Sequence, residues 1–143
     1  MTATSPPAVS VSDEMRWMGA ITLTRVDLDS VPPRVLPSRE GTSFWVNYED
    51  PSDDISKATL YGLDAGFFTT SPSVAVWTEV NRPTRQQCTD LVTARGTESL
   101  RLTKDSKYCV RTAAGRIAFL SDLSLDETAG AYAATATVWN STS

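Results

Sequence analysis

The segment that most constrains this chain is Ala131 to Trp139, where Tyr132, Ala134, Ala136 and Val138 alternate with Ala133, Thr135, Thr137 and Trp139. A period of two sends successive side chains to opposite faces of an extended backbone, so these residues form a strand. The small alanines on one face let a second layer approach closely. Similar patterns recur upstream. Ile21 and Leu23 share a face, and the apolar set then slips by one to Val26 and Leu28, which predicts one strand with a bulge or bend over 21–28. Pro32, Pro33 and Pro37 then interrupt any ladder, because proline donates no hydrogen bond. In Ser43–Glu49, Phe44, Val46 and Tyr48 face away from Trp45 and Asn47; Ala58–Tyr61 and Val74–Thr78 are shorter strands.

Helical signals concentrate in one place. Thr84 with Gln87 fits a reciprocal N-terminal box, Cys88, Leu91 and Val92 share a face, and Gly96 is placed for a left-handed C-terminal cap, predicting a helix over 84–95. The remainder looks like a meander: Leu100 and Leu102, a turn at Asp105-Ser106, Lys107–Thr112, a hairpin at Ala113-Ala114-Gly115, Arg116–Leu120, a polar loop over Asp122–Gly130, and the last strand. The expected fold is mainly β, a two-layer sandwich or partly open barrel of seven to nine strands with one short helix. Residues 1–12, small, polar and proline-bearing, read as a flexible linker or tail, and 13–143 as a single domain. A chain of 143 residues buries about two-thirds of its unfolded surface.

Composition removes several functions. With no histidine the commonest general base is missing, and with it the Ser-His-Asp and Cys-His arrangements and the histidine zinc sites. Two cysteines are too few for a four-thiolate zinc site. Seventeen acidic against 13 basic residues oppose a nucleic-acid surface. No apolar run is long enough for a membrane helix, and the N-terminus lacks the basic start and apolar core of a secretory signal. No phosphate loop, dinucleotide fingerprint or CxxC is present, so no cofactor is expected.

Cys88 and Cys109 would be buried thiols in a cytosolic protein and one disulfide in an exported protein of this size. Placement on the helix and in the strand after next favours the bridge, which would staple helix to sheet. The run Cys88…Tyr108-Cys109-Val110-Arg111-Thr112…Gly115-Arg116-Ile117-Ala118, with a final Ala136-Thr137-Val138-Trp139 strand, resembles a β-domain of actinobacterial exported proteins. Such domains occur in small secreted proteins and outside the membrane on serine/threonine kinases. Asp27-Leu28-Asp29-Ser30 followed by Phe44-Trp45-Val46 is similar to their N-terminal half. The resemblance touches about half the chain, implies an exported, disulfide-bonded module without assigned catalysis, and carries over no functional residues.

Candidate chemistry is sparse. Asp27 and Asp29, two apart on a strand, would project from one face, where a hard cation such as Ca²⁺ could use both; the competing reading is a polar strand end entering a turn. Glu49, Asp50, Asp53 and Asp54 flank Pro51 without EF-hand spacing. Paired carboxylates could serve a glycosidase, but 17 acids supply many pairs. If Trp45 and Asn47 share an exposed face with Asp27 or Asp29, a sugar could stack on the indole; otherwise Trp45 bridges the sheet edge. Arg111 and Arg116 are placed to pair with Asp122, Asp126 or Glu127, or with an acidic partner. Asn140-Ser141-Thr142 matches the glycosylation pattern by accident.

The leading expectation is therefore a non-catalytic, secreted or extracytoplasmic module that binds another protein, as a sensor ectodomain or accessory subunit. A glycan-binding module or small carboxylate-dependent glycosidase is the alternative, and a secreted inhibitor or immunity-like protein the third.

Overall fold

The computed structural model describes residues 15–37, 42–48, 58–62, 73–112, 114–126, 128 and 130–140. Their strands form two antiparallel five-stranded sheets stacked as a sandwich, with one helix on the outside. Sheet I contains, in spatial order, β1 (Met15–Thr22), β10 (Ala131–Trp139), β9 (Ile117–Asp126), β8 (Lys107–Arg111) and β6 (Val74–Trp77). Sheet II contains β3 (Arg34–Val35), β2 (Arg25–Asp27), β4 (Phe44–Tyr48), β5 (Ala58–Tyr61) and β7 (Ser99–Leu102). The helix α1 (Arg85–Arg95) lies between β6 and β7 in the chain.

Of the two expected architectures the sandwich is the one found, with ten strands among the described residues. The count rises because 21–28 is not one bulged strand. The one-residue slip in its apolar pattern is where the chain leaves sheet I at Thr22 and enters sheet II at Arg25. Leu23, Val26 and Leu28 all reach the core because the crossover rotates the backbone between them. A two-residue β3 also forms between the prolines, where an edge position leaves one side without ladder partners. The expected meander holds for β8, β9 and β10, whereas Leu100 and Leu102 belong to the opposite sheet.

Sheet I is covered on both faces. On the inner face Tyr108, Val110, Leu120, Tyr132, Ala136 and Val138 meet Phe44, Leu60 and Leu102 of sheet II. On the outer face Ala75, Trp77, Cys109, Ile117, Phe119 and Trp139 pack beneath Cys88 and Val92 of α1. Double coverage explains why Ile117-Ala118-Phe119-Leu120 is a continuous apolar run, while β4 and β5 of sheet II alternate.

The helix begins as expected: Thr84 Oγ1 accepts from the Gln87 amide at 3.1 Å and Gln87 Oε1 accepts from the Thr84 amide at 2.9 Å. Its end differs. Gly96 is extended, at φ −60°, and its amide donates to the Val92 carbonyl, so no left-handed cap forms. Gly115, by contrast, has the positive φ, +85°, that its hairpin requires. The expected loop at Asp122–Gly130 is strand as far as Asp126. Ser121 opposes Thr135 and Ser124 opposes Ala133, so two residues of β9 face one of β10. Asp122 takes φ 55° in this bulge, and the extra residue turns Leu123 into the core. The tail 1–12, the turn at 51–54, Ala113, Glu127 and Ser141-Thr142 lie outside the described residues.

Candidate functional site

Asp27 and Asp29 do not present a shared carboxylate face, because β2 ends at Asp27 and Asp29 occupies the following turn. Asp27 Oδ1 accepts from the Asp29 amide and Oδ2 from Ser30 Oγ, both at 2.9 Å, with Arg34 3.9 Å away. Asp27 thus shapes its own turn. Asp29 reaches across the sandwich to the β8–β9 hairpin. Its Oδ1 accepts from Thr112 Oγ1 at 2.6 Å and Arg116 Nη1 at 3.0 Å, and its Oδ2 from the Ala114 amide at 3.1 Å. Arg116 therefore pairs with Asp29, an acid the sequence did not offer it, while Arg111 donates to Thr93 Oγ1 on the helix; Glu127 lies outside the described residues. The turn after β2 brings Asp29 to the base of this hairpin, 87 positions from Arg116 in the chain. Among the described residues no three His, Cys, Asp or Glu side chains gather as a metal site.

Trp45 and Asn47 do share a face, the outer surface of sheet II, since Phe44 and Val46 of the same strand are buried. The ladder adds neighbours: Trp45 lies between Arg25 and Tyr61, and Tyr61 is opposite Ser99. Asn47 is opposite Thr59, which is opposite Arg101. The Trp45 and Tyr61 rings stack with centroids 4.4 Å apart and planes inclined by 12°. Arg25, Asn47 and Arg101 are exposed, and Trp45 and Tyr61 half-buried. Arg25 is oriented by its own Nε, which donates to the Leu36 carbonyl at 3.0 Å. The result is an open, gently polar sheet surface with an aromatic pair at its middle and arginines on either side. Asp27 borders this surface at the β2 end, and Asp29 is turned away from it.

Tyr61, Arg25, Thr59 and Arg101 were not singled out from the sequence. Alternation assigns each to an outward position within its own strand, but only the strand order and register place them beside Trp45.

Other concavities lie around β6. One of about 510 Å³ runs between Val76, Leu91, Arg95 and Leu100. A neighbouring depression of about 530 Å³ is lined by Trp77, Glu79, Asn81, Gln87 and Asp90. Asp90 there accepts from Gln86 Nε2, and the Trp77 indole N–H donates to the Asn81 carbonyl.

Cys88 and Cys109 form a disulfide with Cα atoms 5.4 Å apart, joining α1 to β8 as expected. Among the described residues no helix is long and apolar enough to cross a membrane. No protein-family model, no curated protein and no solved structure matches this chain.

Proposed function

We propose that this chain is a non-catalytic extracytoplasmic module that binds another protein through the outer face of sheet II. The observation that carries the reading is the Trp45–Tyr61 stack flanked by Arg25 and Arg101 on the outer face of the sheet. Tryptophan, tyrosine and arginine supply most of the energy at protein interfaces, because each buries a large area while retaining a polar group to satisfy. The cross-strand stack fixes both rings before a partner arrives, so little side-chain entropy is lost on docking. An acidic partner surface suits the two arginines. The Cys88–Cys109 disulfide supports an oxidising compartment.

Glycan binding is the second reading, favoured by Asn47 lying two residues from Trp45 on the same face. Tyr61 already covers one side of the indole, which leaves at most the other for a sugar.

The test presents immobilised chain to exported proteins and, separately, to cell-wall polysaccharide of the source organism. Trp45→Ala and Arg101→Glu are compared with Gln86→Ala on the helix. A protein retained by the parent and by Gln86→Ala, but weakened about 30-fold by Trp45→Ala, supports the proposal. Retention on polysaccharide with quenching of tryptophan fluorescence transfers it to the glycan reading. Binding indifferent to both substitutions on sheet II overturns it.

A further inference from the structure

Among the described residues the four edge strands are unequally protected. Unpaired edges invite pairing with other chains, and proteins blunt them with shortness, proline and charge. At the ends of sheet II, β3 has two residues beside Pro32, Pro33 and Pro37, and β7 has four including the exposed Arg101. At one end of sheet I, β6 has four residues, and the outward amide and carbonyl of Val74 are both bonded to Thr97. The other end is β1, Met-Arg-Trp-Met-Gly-Ala-Ile-Thr, eight residues without proline or lysine. Its single charge, Arg16, is turned to the Asp29 carbonyl.

The register shows which groups are open. The Leu23 amide donates to the Tyr132 carbonyl, so Ile21, Gly19 and Trp17, in phase with it, bond toward β10. Met18, Ala20 and Thr22 point their amides and carbonyls away, and of these the Thr22 carbonyl accepts from the Thr24 amide. Among the described residues no backbone partner meets the outward groups of Met18 and Ala20, and they coincide with exposed side chains, Met18 being 47% and Met15 49% accessible.

We infer that β1 is a self-association edge, pairing antiparallel with β1 of a second copy about a two-fold axis through Gly19. In this register Met18 of one copy exchanges hydrogen bonds with Ala20 of the other, and Ala20 with Met18. The large side chain thus meets the small one. Trp17 falls opposite Ile21, apolar against apolar, and Arg16 opposite Thr22, so like charges do not meet. Arg82, whose guanidinium bridges Thr137 on β10 and Met18 Sδ on β1, is removed from its symmetry mate by two to three strand spacings, about 10–14 Å and beyond the screening length at physiological salt. Pairing merges two copies of sheet I into one ten-stranded sheet and leaves both outer faces of sheet II clear. The contact is small, so the dimer forms reversibly at high protein concentration.

The test is a mixing experiment. Both native cysteines are in the disulfide, so the only free thiols are those introduced. Hydrogen-bonded antiparallel pairs hold Cα atoms about 5.5 Å apart, within disulfide reach. Oxidising Met18→Cys mixed with Ala20→Cys should give at least about tenfold more cross-linked dimer than either variant alone. In sedimentation velocity the parent should show a rising weight-average coefficient with concentration, and folded Met18→Lys, with its new charge on the exposed edge, should not. Equal cross-linking in the mixed and single samples, or a parent that stays monomeric while the variants remain folded, overturns the inference.

Discussion

Asp29 is an acceptor with three donors aimed at two oxygens, and this decides how it can be replaced. Asparagine keeps one oxygen but turns an amide toward either the Thr112–Arg116 pair or the Ala114 N–H, placing donor against donor. Asp29→Asn should therefore destabilise almost as much as Asp29→Ala, by about 2–4 kcal/mol, because each removes the charge opposite the half-buried Arg116 and leaves at least one donor unmatched. Chemical denaturation of both variants checks this, and an asparagine variant as stable as the parent contradicts it. The residue type was legible in the sequence as a candidate ligand, but its partners lie 83 to 87 positions away, beyond any local pattern. Tyr48 ties the layers in another way. Its hydroxyl donates to the Leu23 carbonyl and accepts from the Tyr132 amide, and burial pushes its pKa up to about 12. The folded state thus holds the phenolic proton after the unfolded chain has released its own near pH 10. This contribution is complete below pH 10 and is lost as pH rises through 10 to 12. In thermal melts across that window, Tyr48→Phe should start lower than the parent and fall less steeply; parallel slopes would remove Tyr48 as the cause.

At the scale of elements, strands whose pattern repeats without interruption are those whose boundaries the sequence analysis found, such as β4, β5 and β10. Failures occur where one element changes partners or shape. The slip between Leu23 and Val26 is equally what a bulge and a change of sheet would produce, and only long-range pairing separates them. The arm Asp122–Asp126 reads as a loop because Leu123 alone points into the core and both faces of its end, Ser124–Asp126, meet water. The first part of β1 went unread because Met-Gly-Ala carries no β-branched signal. Its structure has its own logic: the Trp17 indole lies across Gly19, and a Cβ there would sit 2.7 Å from Trp17 Cζ2 and Cη2. Gly19→Ala should cost about 1–3 kcal/mol, since the indole must leave its place. In a Trp17→Leu background the same substitution should stabilise slightly, because alanine restricts the unfolded chain more than glycine does. The change of sign is measured by a double-mutant cycle, and an unchanged penalty in the leucine background would place the strain in the backbone instead.

The whole molecule has three layers held by unequal means. The two sheets share an extensive apolar interior to which residues of both contribute. The helix layer is thin: Arg85-Gln86-Gln87-Cys88-Thr89-Asp90-Leu91-Val92-Thr93-Ala94-Arg95 offers only Cys88, Leu91 and Val92 to the apolar patch on sheet I. An isolated helix of this length is marginal in water, so its order depends on what fastens it. The disulfide does so by linking Cys88 to Cys109, 21 positions on in the chain, a closure that contributes about 3 kcal/mol in the chain-entropy account. That this bridge joins helix to sheet was legible from the two cysteines, whereas the site on sheet II required a register that sequence does not carry. Its removal should act unevenly. In Cys88→Ala/Cys109→Ala, amide exchange should accelerate first across 85–95, then at β6 beneath it, while β9 and β10 retain protection until global unfolding. Hydrogen exchange read by mass spectrometry resolves these segments. Uniform acceleration over both sheets would show the bridge to be a brace for the entire sandwich, and unchanged exchange in the helix would show that Leu91, Val92 and the Thr84 cap hold it without covalent help.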